Sequence, residues 1–358
     1  MTSKEAALKL SRVFLLLFFF SCKLPTDPDD LDMTDDRGAV VATTNSTGGR
    51  HLVWSRATNE ILWIDYDRSG DVVAQAVNPS TFEIRTLASY SGVGLYDDQH
   101  IALSDDGECF AFILRDNQGS SLNAVLVRTG DASLITTDVH SFVISPDHRL
   151  FAYAYPSYSE TEYNVEVCAL VGGEKALGAG RPLCFSPTGE ELLIAIDTMY
   201  AVVNVSSGQR RMLATPYHYG QLYAWVGSDM CSFYVVGNQF NVTHFEPYWV
   251  ETMEPGLSNA DPTFFEWSAD CRTALVWSTE CLKSHSVGLF QTKCDVLEAN
   301  IHALHLTSKE VRRVAFARIA TAKESSTRNG IVFSPDERQI AYVLETNVYV
   351  KDLPLITP

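Results

Sequence analysis

An apolar run that ends in a serine and turns at once into a second apolar run recurs along this chain of 358 residues. The segments are HLVWSRATNEILWI, IALSDDGECFAFI, FVISPDHRLFAYA, LCFSPTGEELLIAI, YAWVGSDMCSFYVV, FFEWSADCRTALVW and IVFSPDERQIAYV. Aligned on Ser55, Ser104, Ser145, Ser186, Gly227, Ser268 and Ser334, they are spaced by 49, 41, 41, 41, 41 and 66 residues. Four consecutive equal spacings define a structural period, and a period of this length belongs to repeated supersecondary units.

The local physics of each unit is the same. Four or five apolar residues without strict alternation form a strand buried on both faces. The Ser-Pro-Asp-Gly-like tetrad then turns the chain, because proline presets φ while aspartate and glycine tolerate the remaining turn positions. A second strand follows, and a third and fourth complete the unit, as in YAVVNV and QRRMLAT. Four antiparallel strands in about 40 residues, repeated in tandem, describe a propeller blade. The expectation is an all-β, seven-bladed β-propeller of four-stranded antiparallel blades over residues 38–358.

The last unit supplies only three strands, GIVFS, QIAYVLE and NVYVKDL. An open blade edge would expose unpaired backbone groups. The β-rich segment GAVVATT, Gly38 to Thr44, is expected to be the missing outer strand, closing the last blade and joining the two ends of the chain.

The segments ISPDHRLFAYAY, FSPTGEELLIAI and FSPDERQIAYV resemble the repeats of TolB-type β-propellers. The resemblance covers roughly residues 38–358 and implies the fold rather than an activity. The α/β domain that precedes the propeller in that family has no counterpart here; residues 23–37 are a short acidic stretch instead.

The N-terminus carries Lys4, Lys9 and Arg12, then the apolar run Val13 to Phe20, then Ser21-Cys22. Eight apolar residues cannot span a bilayer, which needs about 20. A basic start, a short apolar run and a small residue make a secretory signal over residues 1–21. Cys22 directly after the small residue resembles a bacterial lipobox. The resemblance implies cleavage before Cys22, its acylation, and an outer-membrane address, since Lys23 replaces the aspartate of inner-membrane retention. The plain alternative is a cleaved signal with Cys22 incidental. Residues 22–37, with six aspartates, read as a solvated tether. A formal charge of −17 disfavours nucleic acid as a partner, and a monomer is expected.

Export permits disulfides among the remaining seven cysteines. The last spacing exceeds the period by 25 residues, in a stretch holding Cys281, His285, Cys294, His302 and His305. The spacings fit no standard zinc site, so a Cys281–Cys294 disulfide stapling a loop is expected and no metal. Cys231 and Cys271 occupy like positions in neighbouring turns and would also suit a bridge. The stretch DYDRSGD, Asp65 to Asp71, mimics a calcium loop but has Ala76 where the closing glutamate belongs, and reads as a hairpin turn.

The chain enters each inner strand at one mouth of the channel, four or five residues before each anchor. Arg50, His51, His100, His140, Arg181 and Tyr223 are therefore expected there, either as side chains that satisfy backbone groups and water in the channel or as a site for an anionic ligand such as a carboxylate-bearing peptide. Glu266, inside an inner strand, faces the channel or a neighbouring blade. No nucleophile elbow, zincin motif, P-loop or dinucleotide fingerprint is present, and no cofactor is implied. The reading is a membrane-anchored module for an envelope protein or peptide partner. The alternative is a lactonase- or esterase-like propeller hydrolase using the mouth histidines.

Overall fold

Five of the six anchor serines close their turns with the same bond, whereas Ser55 accepts the Thr58 N–H and donates to Gly107 O. In those five the side-chain oxygen accepts the N–H of the fifth residue on: Cys109 at 3.0 Å, Leu150 at 2.9 Å, Glu191 at 3.0 Å, Thr273 at 2.9 Å and Gln339 at 2.9 Å. In three turns the hydroxyl also donates to the aspartate two residues on, Asp106, Asp147 or Asp336, at 2.6–2.8 Å. A hydroxyl suits the position because it donates and accepts at once, and these serines are buried. The third residue on is left-handed: Gly107 and Gly189 at φ 76° and 73°, but also His148 at 52° and Glu337 at 57°.

The computed structural model describes residues 36–45, 51–95, 101–156, 163–170, 173–216, 222–226, 229–236, 239–245, 248–253, 264–268, 273–286, 292–305, 308, 310–320, 330–344 and 346–353; for parts of the strands between 214 and 320 it describes the backbone alone. Residues 1–35 separate from the unit 36–358. The signal, Cys22 and most of the acidic tether therefore lie outside the described residues, as do Arg50, His100 and Cys271.

Strand β1 is Ala39–Thr43. The first repeat forms β2 (Val53–Trp54), β3 (Ile61–Tyr66), β4 (Val72–Val77) and β5 (Ile84–Tyr90). The second forms β6 (Gly94–Leu95), β7 (Ile101–Leu103), β8 (Cys109–Arg115), β9 (Ser120–Leu126) and β10 (Ala132–Thr137). The third forms β11 (Ser141–Ile144), β12 (Leu150–Pro156), β13 (Tyr163–Ala169) and β14 (Glu174–Ala179). The fourth forms β15 (Arg181–Phe185), β16 (Glu191–Ile196), β17 (Met199–Asn204) and β18 (Arg210–Pro216). The fifth forms β19 (Leu222–Val226), β20 (Asp229–Val236), β21 (Gln239–Phe245) and β22 (Tyr248–Met253). The sixth forms β23 (Phe264–Trp267), β24 (Thr273–Ser286), β25 (Thr292–His305) and β26 (Glu310–Ala320). The last forms β27 (Ile331–Phe333), β28 (Gln339–Leu344) and β29 (Asn347–Asp352).

Among the described residues there is no helix, and the strands make seven antiparallel sheets, all four-stranded except the second. In the second, β6 and β7 both pair with β8, and this is where the long 49-residue spacing is taken up. The last sheet runs β1-β29-β28-β27, with Ala39 opposite Val350 and Thr43 opposite Asn347. Thr44 N–H donates to Thr346 O at 2.6 Å, Lys351 pairs with Asp36, and Tyr342 Oη donates to Arg37 O.

Packing runs from sheet to sheet. Leu62, Ile64 and Val72 pack with Phe110, Phe112 and Val125; Phe142, Phe151 and Tyr153 pack with Cys109, Ile113 and Leu122. Val165 and Val167 pack with Leu192 and Ile194. Trp277 and Ile301 pack with Ile340 and Tyr342, and Val332, Val343 and Val348 pack with Trp54, Ile61 and Trp63 of the first sheet. The second and third strands are buried on both faces, as in β8, and the outer strands are wet, as in β10.

The sixth sheet corrects one expectation. Among the described residues the surplus does not form a loop beside a normal blade but lengthens the strands, so that β24 and β25 each run 14 residues and β26 runs 11. Pairing along the hairpin satisfies backbone groups that a loop would leave to water. The Cys281–Cys294 disulfide bridges β24 and β25 near the tip of this extension, Cα to Cα 5.8 Å. Asp67 sits in a hairpin turn, its carboxylate accepting the N–H groups of Ser69 and Asp71 and the Ser69 hydroxyl. Buried Cys231 lies 3.3 Å from His244 Nδ1.

Candidate functional site

The inner strands touch one another in series: β2 with β7, β7 with β11, β11 with β15, β15 with β19, β23 with β27, and β27 with β2. Between them lie two adjoining cavities of about 360 and 490 Å³. The first is lined by β2, β7, β23 and β27, the second by β7, β11, β15 and β19, and Arg56, Ala102, Leu103 and Asp105 belong to both. Residues of the inner strands line this space, together with the residue just after five of the anchors: Arg56, Asp105, Pro146, Pro187 and Pro335.

The first cavity has apolar walls from Val53, Trp54, Leu103, Val332 and Phe333 and four charged side chains, Arg56, Asp105, Glu266 and Glu337. Glu266 is set by β23, where it lies opposite Leu275 of β24. It keeps partial exposure, and what it is exposed to is the cavity. Desolvation by the surrounding protein pushes its carboxyl up to about 8. Burial also raises Asp105, against the pull of Arg56 and with a push from Asp106. Asp106 is itself held below the usual carboxylate range, its own burial outweighed by Ser104, the Glu108 N–H and His148 of the next turn.

Of the expected mouth residues, the described Arg181, His140 and His51 stand at the other ends of the inner strands. Arg181 is the first residue of β15, half-buried and opposite Ala195. His140 precedes β11, stacks on Tyr163 with centroids 4.5 Å apart, and donates its backbone N–H to Ala154 O at 2.8 Å. His51 is half-buried ahead of β2. Among the described members of this set Tyr223 alone lines a cavity, the second, with its hydroxyl 3.4 Å from that of Tyr200. Arg56, Asp105 and Glu337 were not singled out by sequence reasoning. The signal was partial: Arg56 and Asp105 follow their anchors directly where three other repeats carry proline, and Glu337 stands three residues on where two others carry glycine.

No family model matches the sequence, and no curated protein matches it. Among solved structures, oligogalacturonate lyase of Vibrio parahaemolyticus aligns at 13% identity over 90% of this chain and 92% of its own, with a TM-score of 0.58. An uncharacterized protein of Listeria monocytogenes aligns at 10% identity over 89% of this chain and 100% of its own, also at 0.58. TolB of Acinetobacter baumannii aligns at 10% identity over 75% of this chain and 63% of its own, with a TM-score of 0.44, a level that decides nothing by itself. At these identities the likeness to the lyase speaks to fold alone, and that fold is the β-propeller: four-stranded antiparallel sheets packed side by side, as here.

Proposed function

We propose that the seven sheets are the blades of one closed propeller sealed by β1, and that the chain is an exported, lipid-anchored module binding a protein or peptide partner in the bacterial envelope. The observation that supports this reading best is that inner strands of all seven sheets line two adjoining cavities. A concave space between rigid strands, with a few charged groups among apolar walls, is what a ligand site requires. The basic groups at the strand starts, Arg50, His51, His100, His140 and Arg181, with Tyr223, are the proposed contacts for a carboxylate-bearing segment. The apolar run and Cys22 support the anchor, and the acidic stretch after it gives the propeller reach from the membrane.

Affinity capture with the full-length lipidated protein tests this. Wild type retains a discrete envelope partner, Arg181→Glu loses it, and Cys22→Ser releases the protein from the membrane fraction. Capture that ignores Arg181→Glu overturns the mouth site. Stoichiometric bound metal that disappears with His140→Ala would replace the binding module by the metal-dependent hydrolase.

A further inference from the structure

The first cavity differs in character from the basic strand starts. Three carboxyl groups, Asp105, Glu266 and Glu337, line it against one guanidinium, Arg56. Arg56 and Asp105 interact electrostatically. Glu266 has no hydrogen-bond or ion-pair partner among the described residues, and desolvation is the sole influence on its ionisation. A carboxyl enclosed by protein without a partner is held at a cost in solvation. That cost disappears when a donor occupies the cavity. The walls supply what an alkyl stem needs, from Val53, Leu103, Val332 and Phe333, and Trp54 adds an aromatic surface. The volume, about 360 Å³, holds a side-chain-sized group. Among the described residues no three His, Cys, Asp or Glu side chains stand close enough to hold a metal ion. That favours an organic cation over an inorganic one.

We propose that the cavity bounded by β2, β7, β23 and β27 receives an alkyl ammonium or guanidinium group, with Glu266 as its ion-pair partner. The chemistry is that of a lysine or arginine side chain, or of a free alkylamine. This goes beyond the binding reading above: the site lies at the far ends of the inner strands from Arg181 and His140, and it stands or falls without any protein partner.

Binding is coupled to a proton. Below pH of about 8 Glu266 is neutral; the arriving cation makes it ionise, and the proton leaves to solvent. The other charged groups facing the cavity are Arg56, Asp105 and Glu337, with the Asp106–His148 pair in the turns behind. Affinity therefore rises toward pH 8 and levels off above it, while the ligand keeps its charge, since ammonium and guanidinium groups titrate at about 10.4 and above 12.

Titration calorimetry on the full-length protein tests the site with n-butylguanidinium, n-butylamine and sodium butyrate, at pH 6, 7 and 8 and in two buffers of different ionisation enthalpy. The expected result is saturable 1:1 binding of the two cations and none of butyrate. Affinity increases up to about tenfold per pH unit, and proton release scales with the buffer. Glu266→Gln weakens binding at least about tenfold and removes the pH dependence. Arg56→Gln, which takes away the competing positive charge, tightens it. A tripeptide with a central arginine forms a second arm: equal or better binding than butylguanidinium assigns the site to a basic peptide, and binding of the small amines alone assigns it to a free amine. Binding of butyrate in place of the cations, or cation binding unchanged by Glu266→Gln, overturns the proposal. A surviving partner capture alongside absent cation binding sinks this inference and leaves the module reading intact.

Discussion

The third sheet and the last sheet have four strands in the same kind of antiparallel order, yet they are assembled by different routes. β11 to β14 come from one continuous stretch, Ser141–Ala179, and each strand pairs with the next in sequence. In the last sheet the outer strand β1 meets β29 across about three hundred residues of chain, Thr43 Oγ1 donating to Asn347 Oδ1 at 3.2 Å. Loop-closure entropy grows only logarithmically, about 0.6 kcal/mol per doubling of length, so the distance itself is a modest cost. What the long-range strand lacks is a turn to hold it, and side-chain bonds take over that task. Lys351 holds Asp36, Arg37 Nη1 donates to Tyr349 Oη at 3.4 Å, and buried Asp65 accepts the Asn45 N–H at 2.7 Å. A turn is local insurance; a clasp must be built from residues at both ends.

The comparison is broken most severely by removing residues 36–44. Loss of Val41 and Ala42 from the core and exposure of the β29 edge is expected to cost about 4 kcal/mol or more, seen as a lower and broader thermal transition. The next largest effect compares two turns. At Gly107 a Cβ would lie 2.5 Å from Arg56 N and 2.7 Å from Ala57 N, whereas at Gly189 its nearest neighbours are 3.8 Å away. Both are left-handed, so Gly107→Ala is expected to cost about 3 kcal/mol and Gly189→Ala about 1, by urea midpoints. Reducing the Cys281–Cys294 disulfide, which closes a 13-residue separation, is expected to cost about 2–3 kcal/mol. That loss is expected to be local, as faster proteolysis of the extended hairpin and little change in β11 to β14.

Two buried groups give opposite pH slopes. Burial, helped by Arg313, depresses His302 from 6.5 to about 4, so the unfolded chain binds the extra proton and stability falls as pH drops through that window. Glu266 is raised from 4.5 to about 8, so the folded chain holds the extra proton and stability falls as pH rises through its window. The windows overlap between about pH 4.5 and 6.5, where the two slopes offset, so denaturation midpoints measured from pH 4 to 9 should plateau there and fall toward pH 8; Glu266→Gln should remove the alkaline fall and leave stability rising up to about pH 6.5. The smallest effect is Glu337→Gly, which frees a left-handed residue and is expected to gain about 0.5 kcal/mol.

The turns were legible in the sequence because their chemistry is local: a serine, an aspartate two residues on and a left-handed third residue fit within one short window. The pairing of Gly38–Thr44 with the last strands was legible from a count of strands. The sixth sheet was not, because fourteen-residue strands interrupted by polar residues such as Ser278, Glu298 and Asn300 lack an apolar pattern to announce them. These three are buried and are strand residues all the same. The candidate site was legible only in part. Reasoning from where the chain enters each inner strand led to Arg181, His140 and Tyr223, of which Tyr223 lines a cavity, while the cavities are built mostly from the opposite strand ends, where Arg56 and Asp105 look like ordinary turn residues. Convergence of charges from four separate repeats is a property of the packed sheets, and no single window contains it.

The account turns on β1 being a true member of the last sheet. Hydrogen exchange of the intact protein measures this directly, by comparing the amides of Ala39–Thr43 with those of Gln339–Leu344. Protection of β1 close to that of β28, lost only in global unfolding, is the predicted result. Exchange of β1 within seconds while β28 stays protected would contradict it.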